Sequence, residues 1–267
     1  IILILSRESD IPSFITTVVR VGAAQRAGLD DKSRNAILSL PEASGDYHAE
    51  VVAELRNVSI SYGGRKILDG VDWKIRNGEK WALCGRNGCG KSTLLSLICA
   101  DNPQAYACDI TLFDRKRGSG ESIWDIKKHI GYVSPEMYRA YLQHVPAGEI
   151  VASGFSDIVG ICRKPDPEQL SSARFWMNIF GIGELEDRFF TELSSGEQHL
   201  CLLARAFVKD PEFLILDEPL HCLDDGNSAL AKDVISTFCR RKNKTLVMVS
   251  HYTENFPDII DRKFELP

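Results

Sequence analysis

The stretch Gly85-Arg86-Asn87-Gly88-Cys89-Gly90-Lys91-Ser92-Thr93 constrains this chain more than any other. It follows G-x-x-x-x-G-K-[ST], and each residue type has a physical job. Glycines let the backbone curl until successive N–H groups point inward at an anion. Lys91 places a cation on the β- and γ-phosphates of a nucleotide, and Ser92 supplies a hydroxyl to Mg²⁺. The flanks agree. Residues Lys80 to Cys84 read as a short buried strand, and Ser92 to Cys99 as a helix whose N-terminus adds partial positive charge at the phosphates. A chance glycine turn is the competing reading, and strand, loop and helix in this order count against it.

A second stretch carries acids. Phe213-Leu214-Ile215-Leu216-Asp217-Glu218-Pro219 is a continuous apolar run ending in two carboxylates. Such a run suits a strand buried on both faces of a parallel sheet, whose carboxyl end is where ligands are presented. There Asp217 can hold Mg²⁺ through water and Glu218 can polarise an attacking water. A merely charged strand end is a poor alternative, because two adjacent acids at a buried end need partners. A later strand, Leu246 to Val249, ends at Ser250-His251, where an imidazole can reach a γ-phosphate; alone, such a histidine is more often structural.

Between these anchors lies Leu193-Ser194-Ser195-Gly196-Glu197, leading into a helix over Gln198 to Lys209 with Leu200, Leu203, Ala204 and Phe207 on one face. As a bare string it is a helix N-cap with a serine and a later acid. Upstream, Val51 to Tyr62 and Lys66 to Ile75 alternate as strands around Gly63-Gly64, and Asn77-Gly78 marks a second turn. Tyr62 ends the first strand. It is either an adenine-stacking aromatic or a half-buried strand tyrosine, and position alone does not choose. Asp109 to Phe113 and Ile130 to Val133 read as further strands, with a helix capped by Ser122 between them. Residues 136–190 change to helix-like spacing broken by Pro and Gly, a helical insertion in an α/β core.

Composition excludes some classes. The 267 residues make one large domain, or one and a piece. A net charge of −5 advertises no basic surface, so no nucleic-acid partner is expected. No apolar run nears the roughly 20 residues of a membrane span. The cysteines at 84, 89, 99, 108, 162, 201, 222 and 239 form no C-x-x-C and read as reduced thiols of a cytosolic protein, with Cys89 open to oxidation in the phosphate loop.

The two ends of the chain look alike. Ile2 to Arg7, Ile11-Pro12 and Ile15 to Val21 parallel Leu246 to His251, Phe256-Pro257 and Ile259 to Leu266. Short strand signals recur by chance; the other reading is an internal repeat. On the second reading residues 1–40 are the tail of a preceding copy of the domain, with a closing helix over Asp30 to Leu40. Residues 41–50 are a linker, and 51–267 the domain itself.

The ordered set resembles the nucleotide-binding domains of ATP-binding-cassette (ABC) systems over about 51–267. The resemblance implies a P-loop NTPase core with an antiparallel β subdomain and a helical subdomain, and a cytoplasmic Mg²⁺-dependent ATPase, peripheral on the inner face of a membrane. It matches Tyr62 to the adenine-stacking aromatic, residues 85–93 to the phosphate loop and Leu193 to Glu197 to the signature. It matches Asp217 to the metal-holding acid, Glu218 to the general base, Leu223-Asp224 to the D-loop and His251 to the switch histidine. In that family the signature of one domain, through residues equivalent to Ser194, Ser195, Gly196 and Glu197, completes the ATP site of another. The implied partner is therefore a second cassette, either a preceding domain or another copy. A narrower resemblance, carried by Ile110 to Phe113 and Arg117 to Ser134, is to the second cassette of ModF-type tandem ATPases, which implies transport of a small solute such as molybdate through a separate permease. A soluble ATPase of repair, regulation or translation is the alternative. One departure stands out: the family's Gln after the strand Ile130 to Val133 falls on Pro135, and either Glu136 substitutes as a metal ligand or Ser134 acts through water.

Overall fold

The computed structural model describes residues 12–15, 28–41, 49–139, 141, 144–156, 164–250 and 256–266. The strands expected within residues 2–21, most of the expected linker, Cys162 and His251 lie outside them.

Two sheets build the fold. In the first, β1 (Val51–Tyr62) and β2 (Arg65–Arg76) form an antiparallel hairpin, closed by the pair Tyr62 and Arg65. The turn between them is Gly63-Gly64, at φ 55° and 81°. A two-residue turn with positive φ at both positions matches strand twist, and glycine adopts it without steric cost. Two further strands, β4 (Asp109–Leu112) and β5 (Arg115–Lys116), extend this sheet in the order β2-β1-β4-β5.

The second sheet is parallel, with β3 (Lys80–Cys84), β6 (Ile130–Val133), β7 (Phe213–Asp217), β8 (Thr245–Val249) and β9 (Arg262–Glu265) in the order β6-β7-β8-β3-β9. Every residue of β7 and β8 is buried. Their side chains alternate between two cores. Phe213, Ile215, Val247 and Val249 pack toward the antiparallel sheet and α2 (Lys91–Ile98), meeting Leu94, Leu95 and Ile98. Leu214, Leu216, Leu246 and Met248 pack toward the helices on the other face. Two covered faces are why these strands read as unbroken apolar runs.

The helices of that second face are α4 (Ala147–Ala152), α5 (Pro167–Ile179), α6 (Ser195–Phe207) and α7 (Asp225–Cys239). The short α3 (Ile123–Lys127) is capped by Ser122, as expected. Two helices start earlier than their apolar periodicity suggests. Lys91 opens α2 and Ser195 opens α6, because cap residues, not the first apolar residue, decide where a helix begins. Ahead of the hairpin, α1 (Asp31–Leu38) lies on α7, burying Ile37 completely. Arg241 holds the end of that segment by donating to the carbonyls of Leu40 and Pro41 at 3.1 and 3.0 Å. Among the described residues no helix is long and apolar enough to cross a membrane.

Candidate active site

The phosphate-loop sequence forms the turn from β3 into α2. Gly85 (φ 151°), Gly88 (78°) and Gly90 (102°) all take the left-handed backbone region. At Gly90 a Cβ would also stand 2.8 Å from Leu68 Cδ2 and 3.1 Å from the Ile67 carbonyl, so space and backbone angle both demand glycine. Cys89 Sγ lies against Gly85, where an added Cβ would meet it at 2.6 Å. The Lys91 ammonium donates to the carbonyls of Gly85 (2.8 Å) and Arg86 (3.0 Å), which draws it over the loop. An ammonium has three donors, so this geometry leaves a third for an anion. Arg86, Asn87, Gly88 and Ser92 are exposed and Thr93 is partly buried, so the mouth of the loop faces solvent.

Asp217 ends β7 at 8% exposure and pairs with Val249 of β8; Leu83 of β3 pairs with the same Val249. The parallel register therefore delivers the acid and the loop to one edge of the sheet. Glu218 follows with φ 52°, its N–H donating to the Val249 carbonyl at 3.1 Å. A left-handed non-glycine residue costs of order 1–3 kcal/mol and is held only where its surroundings demand it. Here it turns the chain out of β7 at the sheet edge that carries the loop.

Ser194 caps α6 with a reciprocal box. Its Oγ accepts from Glu197 N–H (3.3 Å), while Glu197 Oε2 accepts from Ser194 N–H and Oγ (both 2.8 Å). Ser195 and Gly196 then form the first turn, beside the chain that follows β7: a Cβ on Gly196 would sit 3.4 Å from the Cys222 carbonyl. Asp224 caps α7, accepting from Asn227 N–H (2.8 Å) and Nδ2 (2.9 Å). Glu197 and Asp224, both expected at a nucleotide, thus do local capping work first. Between these segments lies His199, 2% exposed, which the sequence reading passed over. Its Nε2 bonds the Pro219 carbonyl at 2.6 Å and its ring stacks on Tyr138, 5.3 Å between centroids. Burial holds its imidazole down to about 4. The available signal was its spacing, four residues before Leu203 on the buried face of α6.

A family model described as ABC transporter matches residues 68–221, a span holding the phosphate loop, the signature and both acids. The chain belongs to the ABC transporter family. The ABC transporter ATP-binding protein ModF of Escherichia coli (strain K12) is 37% identical over 99% of this chain and 59% of its own length. An uncharacterized ABC transporter ATP-binding protein of Schizosaccharomyces pombe is 31% identical over 78% of this chain and 43% of its own. The chain thus spans about half the length of these two relatives. Among solved structures, a dimeric ATP-binding cassette in a post-hydrolysis state bound to ADP and Pi shares the fold, with TM-score 0.67 over 80% of this chain and 94% of that one, at 22% identity.

In this ABC cassette the loop after β6 is a 3-10 turn, Pro135–Arg139, with Ser134 buried and Pro135 and Glu136 exposed. Burial of the neighbouring Tyr132 phenol pushes its pKa far up, so it stays protonated. The residues that could hold a metal are the Ser92 hydroxyl and the carboxylates of Asp217 and the exposed Glu136. Among the described residues no three His, Cys, Asp or Glu side chains converge as an all-protein cage. That composition suits Mg²⁺, which keeps several waters and takes the rest of its shell from substrate phosphates. Tyr62 is 47% exposed at the end of β1, and its Oη accepts from Asn102 Nδ2 at 2.9 Å.

Proposed function

We propose that this cassette binds ATP with Mg²⁺ and hydrolyses it, and that hydrolysis energises movement of a small solute through a separate membrane permease. The observation that carries the reading is the shared edge of the parallel sheet. There the phosphate loop after β3 and Asp217 at the end of β7 flank β8, beside the left-handed Glu218. Lys91 and the N–H groups of residues 85–93 hold the phosphates, helped by the N-terminus of α2. Ser92 and Asp217 hold the metal, which when bound neutralises phosphate charge. Glu218 accepts a proton from water, and Tyr62 stacks on the adenine. His251, following β8 and Ser250 in sequence, meets the γ-phosphate.

A second cassette completes the site. The signature opens α6, which packs on β6, three strands from β3, so about 14 Å of sheet lies between the two elements at ordinary strand spacing. A signature from another domain or another copy can close over the loop. Residues 1–40 fit the tail of such a preceding domain, and the helix-bearing stretch of about 136–190 a helical subdomain. Molybdate is the solute that the tandem-ATPase resemblance names.

The exposed Pro135 favours a second reading, a soluble ATPase without a permease. Proline offers no side-chain oxygen where the family's Gln acts. Co-purification separates the two: a membrane protein retained with the cassette supports transport, whereas ribosomes or nucleic acid support the alternative. The hydrolytic reading is tested by Glu218→Gln. An amide keeps the carboxylate's shape without its basicity, so ATP binding persists while turnover falls roughly 10²- to 10⁴-fold. A variant that hydrolyses ATP like the parent removes Glu218 from the role of base.

A further inference from the structure

Tyr62 stands half exposed at the end of a strand, a position where a ring ordinarily hops between rotamers within nanoseconds. Its hydroxyl is nevertheless tied to Asn102, a residue only 6% exposed. Asn102 sits just beyond α2. After the helix the chain turns at Ala100, in left-handed backbone (φ 61°), and the N–H groups of Asp101 and Asn102 both return to the Ser96 carbonyl at 2.9 and 3.1 Å. The chain turn so made drives the Asn102 amide back under the strand end.

The amide is satisfied on both sides. Its Oδ1 accepts from Gln104 N–H at 3.0 Å, while its Nδ2 donates to Tyr62 Oη at 2.9 Å and to Ser96 Oγ at 3.1 Å. Because a backbone N–H can only donate, Oδ1 must face Gln104, and that leaves Nδ2 facing the tyrosine. Ser96 Oγ passes the connection on, donating to the Thr93 carbonyl at 2.7 Å. Thr93 is the last residue of the phosphate-loop motif. Gln104 Nε2 donates to the Ser61 carbonyl at 3.3 Å and steadies the strand end from the other side. One buried side chain therefore joins the helix that opens at Lys91 to the aromatic at the end of β1.

We infer that Asn102 is a positioning residue for the nucleotide base: it holds the Tyr62 ring at a set angle and a set distance from the phosphate loop. The inference rests on the proposed ATP-binding reading of the site. A half-exposed ring anchored by its hydroxyl is a stacking surface already held in one orientation, so less freedom is lost when a base lands on it. The phosphates and the base of one ligand are then gripped by parts of one hydrogen-bonded unit. Asn102 touches neither.

The test is binding of ATP, CTP and tripolyphosphate to the whole chain carrying Tyr62→Ala, Tyr62→Phe, Asn102→Ala, or the last two together. Tyr62→Ala should weaken ATP most. Tyr62→Phe keeps the ring and removes only the bond, and it should weaken ATP roughly 3- to 10-fold, the worth of one hydrogen bond. Asn102→Ala should do the same, the double variant should be no worse than either single one, and the preference for ATP over CTP should shrink. Tripolyphosphate affinity should stay within about twofold throughout, since the phosphate loop is untouched. If Tyr62→Ala weakens ATP while Tyr62→Phe and Asn102→Ala bind it like the parent, the positioning role is wrong and the stacking role stands. If Tyr62→Ala itself leaves ATP affinity unchanged, the base does not lie on Tyr62 and both fall. Tyr62→Phe alters an exposed ring by a single atom, so it decides the question even if Asn102→Ala does not fold.

Discussion

Asp217 and Leu83 pair with the same residue, Val249, from opposite sides of β8. The acid strand and the phosphate-loop strand are thus not neighbours. They lie two strand spacings apart, about 10 Å, with the end of β8 between them. In the proposed reading that gap is where the phosphates lie. The pairing also places the end of β8, at Val249, between the loop and the acids.

The Lys91 ammonium is held over the loop by the carbonyls of Gly85 and Arg86. Lys91→Ala should cut ATP affinity by at least roughly 10- to 100-fold, the cost of a lost charge-assisted contact. Calorimetric titration with ATP checks this, and an affinity equal to the parent's would sink the site assignment.

If the signature of a second cassette completes the site, hydrolysis by this chain depends on encounter between two copies. Specific activity should then rise with protein concentration and fall on dilution. Activity that stays high and flat per molecule, in a species shown to be monomeric by light scattering, would mean the shared-site model is wrong.

His199 links acid stability to the signature helix. Its folded pKa of about 4 lies below the ordinary 6.5 of an unfolded histidine. Between those values the unfolded chain binds more protons than the folded one. Stability from this residue is therefore present above pH 6.5 and is lost as pH falls toward 4. The difference amounts to at most ~3 kcal/mol at 1.36 kcal/mol per unit. His199→Gln should flatten the fall in Tm over that range, and an unchanged slope would remove His199 as its source.

Gly131 in β6 lets α6 approach the sheet. A Cβ there would stand 2.2 Å from the Ala206 carbonyl and 2.7 Å from Pro211 Cγ. Gly131→Ala should destabilise by ~1–3 kcal/mol or more through overpacking, lowering Tm by several degrees. Gly196→Ala is the contrast. Its Cβ would have 3.4 Å to the Cys222 carbonyl and a helical backbone, so Tm should move little while ATP hydrolysis suffers from a blocked signature. Equal melting shifts for the two would contradict the packing argument.

The local structure of short segments was legible in the chain. Gly85 to Thr93, Phe213 to Glu218 and the turn at Gly63-Gly64 are each specified by neighbours in sequence: glycine where φ is positive, an apolar run where both faces are covered, acids at a strand's carboxyl end. So were the caps at Ser122 and Ser194, because a cap bonds within three residues of itself. What the sequence alone left open was which segments meet. That Leu83 and Asp217 align on Val249 follows from the order of strands in the sheet, and strand order is set by helices packing on both faces. Glu218 reads as one of two acids, yet its left-handed backbone comes from leaving a buried strand beside β8. His199 reads as a polar residue in a helix; only its burial against Tyr138 and Pro219 makes it neutral. Asn102 and Tyr62 lie 40 positions apart, and a hydrogen bond of 2.9 Å between them exists because the chain turns back after α2. Contacts of that kind depend on distance in space, which one-dimensional spacing does not carry.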